Sequence, residues 1–539
     1  MTVAFRLASA PALAPLRQPV FRALWIATVA SNVGTWMQDV GAAWLMTTLA
    51  PSPAMVALVR AASALPMFLL ALPAGALADI VDRRRLLLVT QAWMLLAAAG
   101  LGVLTLTGLT TPGLLLALTF ALGLGTALNA PAWQALLPEL VPRPQLLNAV
   151  ALNSASINLA RSVGPALGGL LIAVIGPGAT FLLNAVSFVG VIVVLFRWPR
   201  PHEVSVLPAE RLVGAMRAGL RYVRHAPRVR VVLARSSAFI VFGSALWALL
   251  PALARFELGR GPAGYGLLLG AFGIGAVLAA AALPRVRARL SVNRLVAAAL
   301  VTYALALFGL AWGRSLLLAE LLMLVAGGAW LSLLSTFNAS IQASVPGWVR
   351  GRALAVSILV FFGGMAFGSA LWGWLAALWG VPWALTAAAT GVLAGFAATA
   401  RLRLTSGADL DLTPSVHWPA PDVMRPLAPA HGPVVVTVEY RVDPTRYAAF
   451  ARAMERVRRI RRRDGAISWG LLSNVSDPAH YTETFVVESW VEHLRQHERV
   501  TLSDRAILDK ARAFHVGEDP PRVTHYIVEP LGRPSRTRR

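Results

Sequence analysis

Few charged side chains interrupt the long apolar runs of this chain, so each one that does is a candidate for chemistry. Asp39 is the clearest. It ends the stretch Asn32-Val-Gly-Thr-Trp-Met-Gln-Asp39, two-thirds along a run that begins near residue 21. A carboxylate withdrawn from water, with an arginine near enough to compete with a proton for it, suits reversible proton uptake. Arg60 in the next run falls at a similar depth and is the expected partner. The same pair suits a static structural role equally well. Arg161, in a third stretch, is costly among apolar neighbours unless it faces a central cavity. Asp39, Arg60 and Arg161 are therefore the candidates for proton coupling.

Polar and aromatic residues recur along the same runs: Asn32, Trp36, Gln38, Asn129, Trp133, Gln134, Asn153, Asn158, Trp247, Asn338 and Gln342. Together they would line a cavity for a large, partly aromatic solute. Taken singly, each also fits helix packing or an interfacial anchor. Glu320 stands at the edge of its run, where a solvated acid is expected, and Arg235 opens another, where it would snorkel. His493 and His497 are one helical turn apart and could bind metal or haem, but no cysteine or paired acid accompanies them. No resident metal or cofactor is expected. Lys510 is the only lysine, so a phosphate-binding Walker loop, and with it ATP-driven transport by this chain, is excluded.

The elements that must position these residues follow from composition. Of 539 residues, 57% are hydrophobic and 14% charged, and the mean hydropathy is +0.64. A soluble chain carries about 25% charged residues, so most of this one needs a lipid solvent. Twelve apolar runs are expected as spanning helices, at roughly 21–46, 54–78, 86–107, 113–136, 148–173, 179–196, 231–254, 263–284, 294–312, 315–342, 353–378 and 382–400. The net charge of +24 is carried almost wholly by arginine, mostly in alternate loops and the C-terminal tail. This is not the distribution of a nucleic-acid binder. With the N-terminus inside, the inner segments hold most arginines and the outer loops only Arg255, Arg260 and Arg314, as positive-inside topology requires. The first 20 residues, with an Ala-x-Ala stretch at Ala12 to Ala14, read as a cytosolic lead-in that is retained. There is no cysteine, hence no disulfide or thiol chemistry.

Two six-run halves, 21–196 and 231–404, flank an arginine-rich central loop at 197–230, in which Pro208 to His225 reads as an amphipathic surface helix. The halves carry a weak internal repeat. Gly164-Pro-Ala-Leu-Gly-Gly169 with Gly176 lies on Gly368-Ser-Ala-Leu-Trp-Gly373 with Gly380 at a constant offset of 204. Ser52-Pro-Ala54 and Gly261-Pro-Ala263 open corresponding runs, and the turns Leu137 to Pro142 and Val345 to Arg350 also correspond. Residues 405–432 are a Pro- and Ala-rich linker. From 433 to 530 the chain reads as a soluble α+β domain: strands at 434–440, 466–473, 481–488 and 523–528, and helices at 444–463 and 491–514. The last residues, 531–539, are a basic tail. Of 25 acids, 17 lie beyond residue 404, the contrast expected between a lipid-facing and a water-facing region.

The sharpest local pattern joins the second and third runs: Gly75, Asp79, and Arg83 to Arg85 in Pro-Ala-Gly-Ala-Leu-Ala-Asp-Ile-Val-Asp-Arg-Arg-Arg. It resembles the signature loop between helices 2 and 3 of the major facilitator superfamily. The resemblance implies an inside gate formed by Gly75, Asp79, Arg83 and Arg84, which breaks as two halves rock apart; read from the residues alone, these arginines simply fix topology. Ile80 and Asp82 depart from the family pattern, so the loop would lock differently. Arg161-Ser-Val-Gly-Pro-Ala-Leu-Gly-Gly169 resembles the glycine/proline motif of exporters in that superfamily, through Gly164, Pro165, Gly168 and Gly169; ordinary small-residue packing reads the same way. Residues 17–404, with Ser31 to Asp39, Ala54 to Asp79 and Arg350-Gly-Arg352, resemble the enterobactin-exporter group. The C-terminal domain, with Arg462 to Trp469 and Ser489 to Arg499, is similar to ferredoxin-like modules of the antibiotic-biosynthesis-monooxygenase type.

The resemblance implies an all-α polytopic protein of the bacterial cytoplasmic membrane, with twelve helices, both termini cytosolic and a ferredoxin-like domain attached. It implies no enzyme but a proton-coupled exporter of a siderophore, drug or related metabolite, working by alternating access. Its expected partners are a small-molecule cargo, protons, the bilayer and, through the C-terminal domain, a second copy. Two other readings stay open: a membrane-anchored enzyme or sensor acting through that domain, and an importer of a small metabolite.

Overall fold

The computed structural model describes residues 11–198, 212–405, 411–415, 427–428 and 431–529. Residues 199–211 of the central loop, which include Pro208 to Arg211 at the start of the expected surface helix, most of the linker and the basic tail lie outside these residues, and so do the side chains of Asp79 and Ile80.

Helix starts follow from prolines and short caps. Pro occupies the first turn of α1 (Pro19–Leu49) and α2 (Pro53–Ile80), where its missing N–H leaves no bond unmade. Asp82 caps α3 (Arg83–Leu106), its Oδ1 accepting from Arg85 N at 2.8 Å. Thr111 caps α4 (Pro112–Leu140) in the same way. There follow α5 (Leu146–Arg197), α6 (Leu212–His225), and α7 (Pro227–Ala252), which runs on into a π-type turn, Leu253–Glu257. The series closes with α8 (Pro262–Arg289), α9 (Val292–Trp312), α10 (Leu316–Ser344), α11 (Gly347–Trp379) and α12 (Val381–Thr399).

Ten helical stretches among the described residues are long and apolar enough to cross a membrane. Twelve were expected, and two physical details account for the difference. Helix α1 is 31 residues long, but Asn32, Gln38 and Asp39 lower its mean hydropathy. The runs 148–173 and 179–196 are both contained in α5, which is two segments meeting at Gly176. Gly176 has φ 80° and ψ 168°, a conformation closed to side chains. Gly380, which precedes α12, has φ 83° and ψ 158°. The repeat in the sequence is thus also a repeat in the backbone.

Two compact units divide the chain. The first holds residues 1–212, 233–339 and 357–404, and contains the long helices. The second holds 213–232, 340–356 and 405–539. Its sheet comprises β1 (Val434–Arg441), β2 (Ser468–Ser473), β3 (His480–Val487) and β4 (Arg522–Ile527), antiparallel throughout in the order β2-β3-β1-β4. Helix α13 (Tyr447–Asp464) joins β1 to β2, and α14 (Trp490–Arg499) and α15 (Leu502–Arg512) join β3 to β4. Alternation along β1 buries Val434, Val436, Val438 and Tyr440, and Phe450, Met454 and Val457 of α13 belong to the same core. Glu483 points inward from β3 with no exposure. It is held by Arg461 Nε at 2.9 Å and Trp469 Nε1 at 3.0 Å, so its charge is compensated where water is absent. The helix expected at 491–514 is broken. Thr501 and Asp504 form a reciprocal capping box that ends one helix and starts the next.

Within this second unit, two segments from beyond the sheet domain belong to the same compact body. The guanidinium of Arg499 lies 4.5 Å from the ring centroid of Trp348. Tyr222 meets Trp348 edge-on at 5.7 Å, and Arg463 lies over Tyr222 at 5.5 Å. Arg463 is itself held by Asp464 and Asp504, each at 2.7 Å.

Candidate functional site

Asp39 and Arg60 do come together. Arg60 Nη1 is 3.6 Å from Asp39 Oδ2. The arginine also lies over the face of Trp247, 5.2 Å from its centroid. Around the pair is a cavity of about 40 Å³, to which α1 contributes Trp36 and Asp39, α2 Arg60 and Ser63, α4 Thr119, α7 Trp247 and Pro251, and α8 Tyr265 and Leu269. The carboxylate therefore sits where helices from both repeats meet. The volume separates two chemistries. A water needs about 10–15 Å³ of such space, so the chamber holds about three. A pocket for a drug-sized ligand is about 300–1,000 Å³. The chamber suits water and protons and excludes a large solute. Arg161 completes the cluster at its edge, 6.0 Å from the Trp36 ring.

Contacts that sequence spacing could not reveal reach the chamber through Tyr265, one of its lining residues. Arg255 Nη1 donates to Thr47 Oγ1 at 2.9 Å and its guanidinium lies 5.5 Å from the Trp44 ring. Trp44 in turn stacks on Tyr265 at 6.4 Å. Arg255 was visible only as one of three arginines in the sparsely charged loops.

The other polar candidates divide. Gln38 is 3% exposed and accepts from Asn184 Nδ2 at 3.2 Å, so it links α1 to α5. Asn129 Oδ1 accepts from Thr90 and from Gln91, both at 3.2 Å, which joins α4 to α3. Trp133 Nε1 donates to Asn153 Oδ1 at 3.0 Å, joining α4 to α5. These side chains serve helix contacts. Asn32 and Trp36 are half-buried, while Gln134, Asn158, Asn338 and Gln342 are exposed. Trp36 lines the chamber and sits 6.3 Å from Trp247.

In the loop before α3, Arg83 Nη1 bonds Glu139 Oε1 at 2.7 Å and the Ala135 carbonyl at 3.2 Å. Arg84 donates to the carbonyls of Leu195 (2.7 Å) and Phe196 (2.6 Å), satisfying acceptors at the end of α5. Glu139 was missed as a site residue. Its signal was present in Leu137-Pro-Glu-Leu-Val-Pro142, an acid at the end of a run in a region almost without acids. A Cβ at Gly75 would meet open space, so no close approach requires glycine there in this conformation.

The glycines of α5 have a clear steric reason. Gly164, Pro165, Gly168 and Gly169 are all buried. A side chain on Gly168 would meet the Met37 backbone, and one on Gly169 would meet Pro262 O at 2.5 Å and Gly266 Cα at 2.8 Å. The counterpart of Gly169, Gly373, faces Ala54 and Ala57 of α2. Small residues thus let α5 approach α8, and α11 approach α2, at equivalent places in the two repeats.

In the sheet domain, His493 is 1% exposed and lies 4.8 Å from His497 and 4.7 Å from His525, ring to ring. Burial, then the neighbouring His497, His525 and Arg461, push its imidazole down to about 3. Burial also lowers His525. No group of three or more metal-ligating side chains is arranged for a metal ion among the described residues.

Relatives of this chain have known roles. It is 27% identical over 353 residues to the staphyloferrin A transporter of Staphylococcus aureus (strain NCTC 8325 / PS 47), covering 65% of this chain and 87% of that one. It is 26% identical over 353 residues to the multidrug efflux pump Tap of Mycolicibacterium fortuitum, covering 63% and 85%. The crystal structure of a bacterial homologue of the iron transporter ferroportin, in an inward-facing state, superposes with a TM-score of 0.55. At 17% identity it covers 71% of this chain and 98% of that one, a likeness of fold alone. The model of the family described as transmembrane secretion effector matches residues 10–533. Its mostly helical fold, its paired repeats and this near-complete match place the chain in that family of major facilitator transporters.

Proposed function

We propose that the protein is a secondary exporter, moving a siderophore, drug or related secondary metabolite across the bacterial cytoplasmic membrane in exchange for protons. The observation that carries this reading is a carboxylate–guanidinium pair in a water-sized chamber at the meeting of two repeats. Asp39 is the proton carrier and Arg60 its competitor. Protonation of Asp39 frees Arg60, and the contacts that hold the two repeats together at this level then rearrange. Cargo is too large for the chamber and binds instead among the exposed polar residues Gln134, Asn158 and Asn338 of the first unit. The metabolite and drug relatives support this class of cargo.

The chain crosses the membrane twelve times, with α1 and the two segments of α5 each counted as a crossing. The arginine-rich ends face the cytoplasm, and both termini lie there. Arg83 with Glu139, and Arg84 on the carbonyls of α5, brace the inner loop, and Asp79 belongs to the same gate. A ferredoxin-like reading of the sheet domain is supported by β1 and β3 being central, with a helix between β1 and β2 and a broken helix between β3 and β4. The face bearing Val435, Thr437, Thr484 and Tyr526 (the last 55% exposed) is the surface through which two copies associate.

The test is transport in everted membrane vesicles. Proton-driven accumulation of a siderophore or dye inside them supports export. Accumulation only in right-side-out vesicles would establish uptake instead. A second reading, a ligand-sensing tail, draws on His493 and Gln496: both are buried and neither ring nitrogens nor amide atoms have a partner among the described residues. Transport that survives deletion of residues 405–539 but no longer responds to cargo concentration would favour it.

A further inference from the structure

Arg235 lies near the start of α7, is 3% exposed, and has no carboxylate near it among the described residues. Its Nη1 donates to Asn293 Oδ1 at 2.8 Å and to the Leu402 carbonyl at 3.3 Å, while Nε has no partner among the described residues. It opens onto a cavity of about 470 Å³ that Arg294 and Arg403 also line, with Ser291, Asn293 and Phe396. Three arginines from three different parts of the chain therefore converge on one space. No counter-ion is available from the surrounding helices. Asp and Glu are absent from residues 227–256, 258–319 and 321–408, which include all of α7, α9 and α12. A buried guanidinium without a counter-charge is costly, and three around one cavity repel. The start of α9, capped by Ser291, adds the positive end of a helix dipole to the same space.

We propose that this cavity binds the phosphate of an anionic phospholipid. The anion comes from outside the chain, because the helices around the cavity carry no carboxylate among the described residues. The source is the bilayer and not the solvent. The cavity stands at the ends of membrane-spanning helices, where headgroup phosphates lie, and Phe396, Ala297 and Ala400 give it an apolar flank for the glycerol and upper acyl chain. Arg235 Nε supplies the deep donor, and the exposed Arg294 and Arg403 supply the outer ones. The Asn293 bonds to the main chain of Leu404, at 2.9 Å each way, hold the end of the last helix against this site. A bound phosphate therefore fixes the packing of α12 on α9. The inference needs only that these helices span a bilayer; it is independent of what the protein exports.

The full-length protein in detergent, titrated with phosphatidylglycerol or phosphatidylcholine and examined by native mass spectrometry, tests this. Phosphatidylglycerol should remain bound at a single site where phosphatidylcholine does not. R294Q and R403Q, both at exposed positions, should each weaken that binding about fivefold, and together about 25-fold. R235Q should abolish it, and the two outer variants keep the test open if R235Q does not fold. Excess inorganic phosphate should fail to displace the lipid. Equal retention of both lipids, unchanged binding in R294Q/R403Q, or full displacement by phosphate would each overturn the proposal.

Discussion

Replacing Asp39 with asparagine removes the carboxylate of the chamber while preserving its shape. The charges stand 3.6 Å apart. At an effective dielectric of 20, unit charges at that distance attract by about 4.6 kcal/mol. The side chains of Arg60 and Asp39 are still 24% and 36% exposed, so solvent screening reduces this by roughly half, to about 2 kcal/mol. D39N should therefore lower the thermal stability of the purified protein by about that amount, because Arg60 remains over Trp247 without a counter-charge. The double variant D39N/R60Q should recover most of the loss, giving a coupling energy of about 2 kcal/mol in a double-mutant cycle. In everted vesicles D39N should bind cargo but lose proton-driven accumulation. Unchanged proton-linked transport in D39N would remove Asp39 from the mechanism. A coupling energy below about 0.5 kcal/mol would show that the pair is not an interacting unit at all.

Two further outcomes are expected in the second unit. Trp348→Ala removes the ring under Arg499, a desolvated contact worth about 2 kcal/mol, so hydrogen exchange should rise in α14 and in residues 340–356 while β1 and β3 stay protected. Unaltered exchange in both segments would show that the contact does not hold them together. The His493 imidazole is neutral in the fold down to about pH 3, whereas an unfolded histidine protonates near 6.5. The unfolded state thus binds the extra proton between those values, and stability must fall as pH drops, by about 1.4 kcal/mol per pH unit for this group. Protection of the β1 and β3 amides in the intact protein should decline from pH 6.5 toward 4, and His493→Phe should flatten the decline. An identical decline in the variant would assign it to other groups.

Most of the architecture could be read from the chain because lipid leaves few alternatives to helices, and apolar runs mark them directly. Asp39 and Arg60 were paired by depth alone, which a constant rise per residue makes reliable. Which way a side chain faces was not legible. Gln38, Asn129 and Asn153 join helices to one another, whereas Asn158 and Gln134 are exposed. In helices apolar on nearly every side, the periodicity that distinguishes one face from another is lost. Glu139 and Arg255 escaped notice for a different reason. Their partners, Arg83 and Thr47, are 56 and 208 positions away, so only the folded chain brings them together. The break between α14 and α15 was within reach, since Thr501 and Asp504 have the spacing of a reciprocal cap, but the helical pattern on either side concealed it.

Gly176 and Gly380 occupy nearly the same backbone conformation, one in which a side chain is strained whatever space surrounds it. An alanine at either should cost about 1–3 kcal/mol for purely local reasons. The molecule thus carries its own control experiment. Because the local penalty is common to the two sites, any difference between G176A and G380A in melting temperature or export rate must come from what each turn is attached to. Comparing the twins would measure how far the tasks of the two equivalent turns differ.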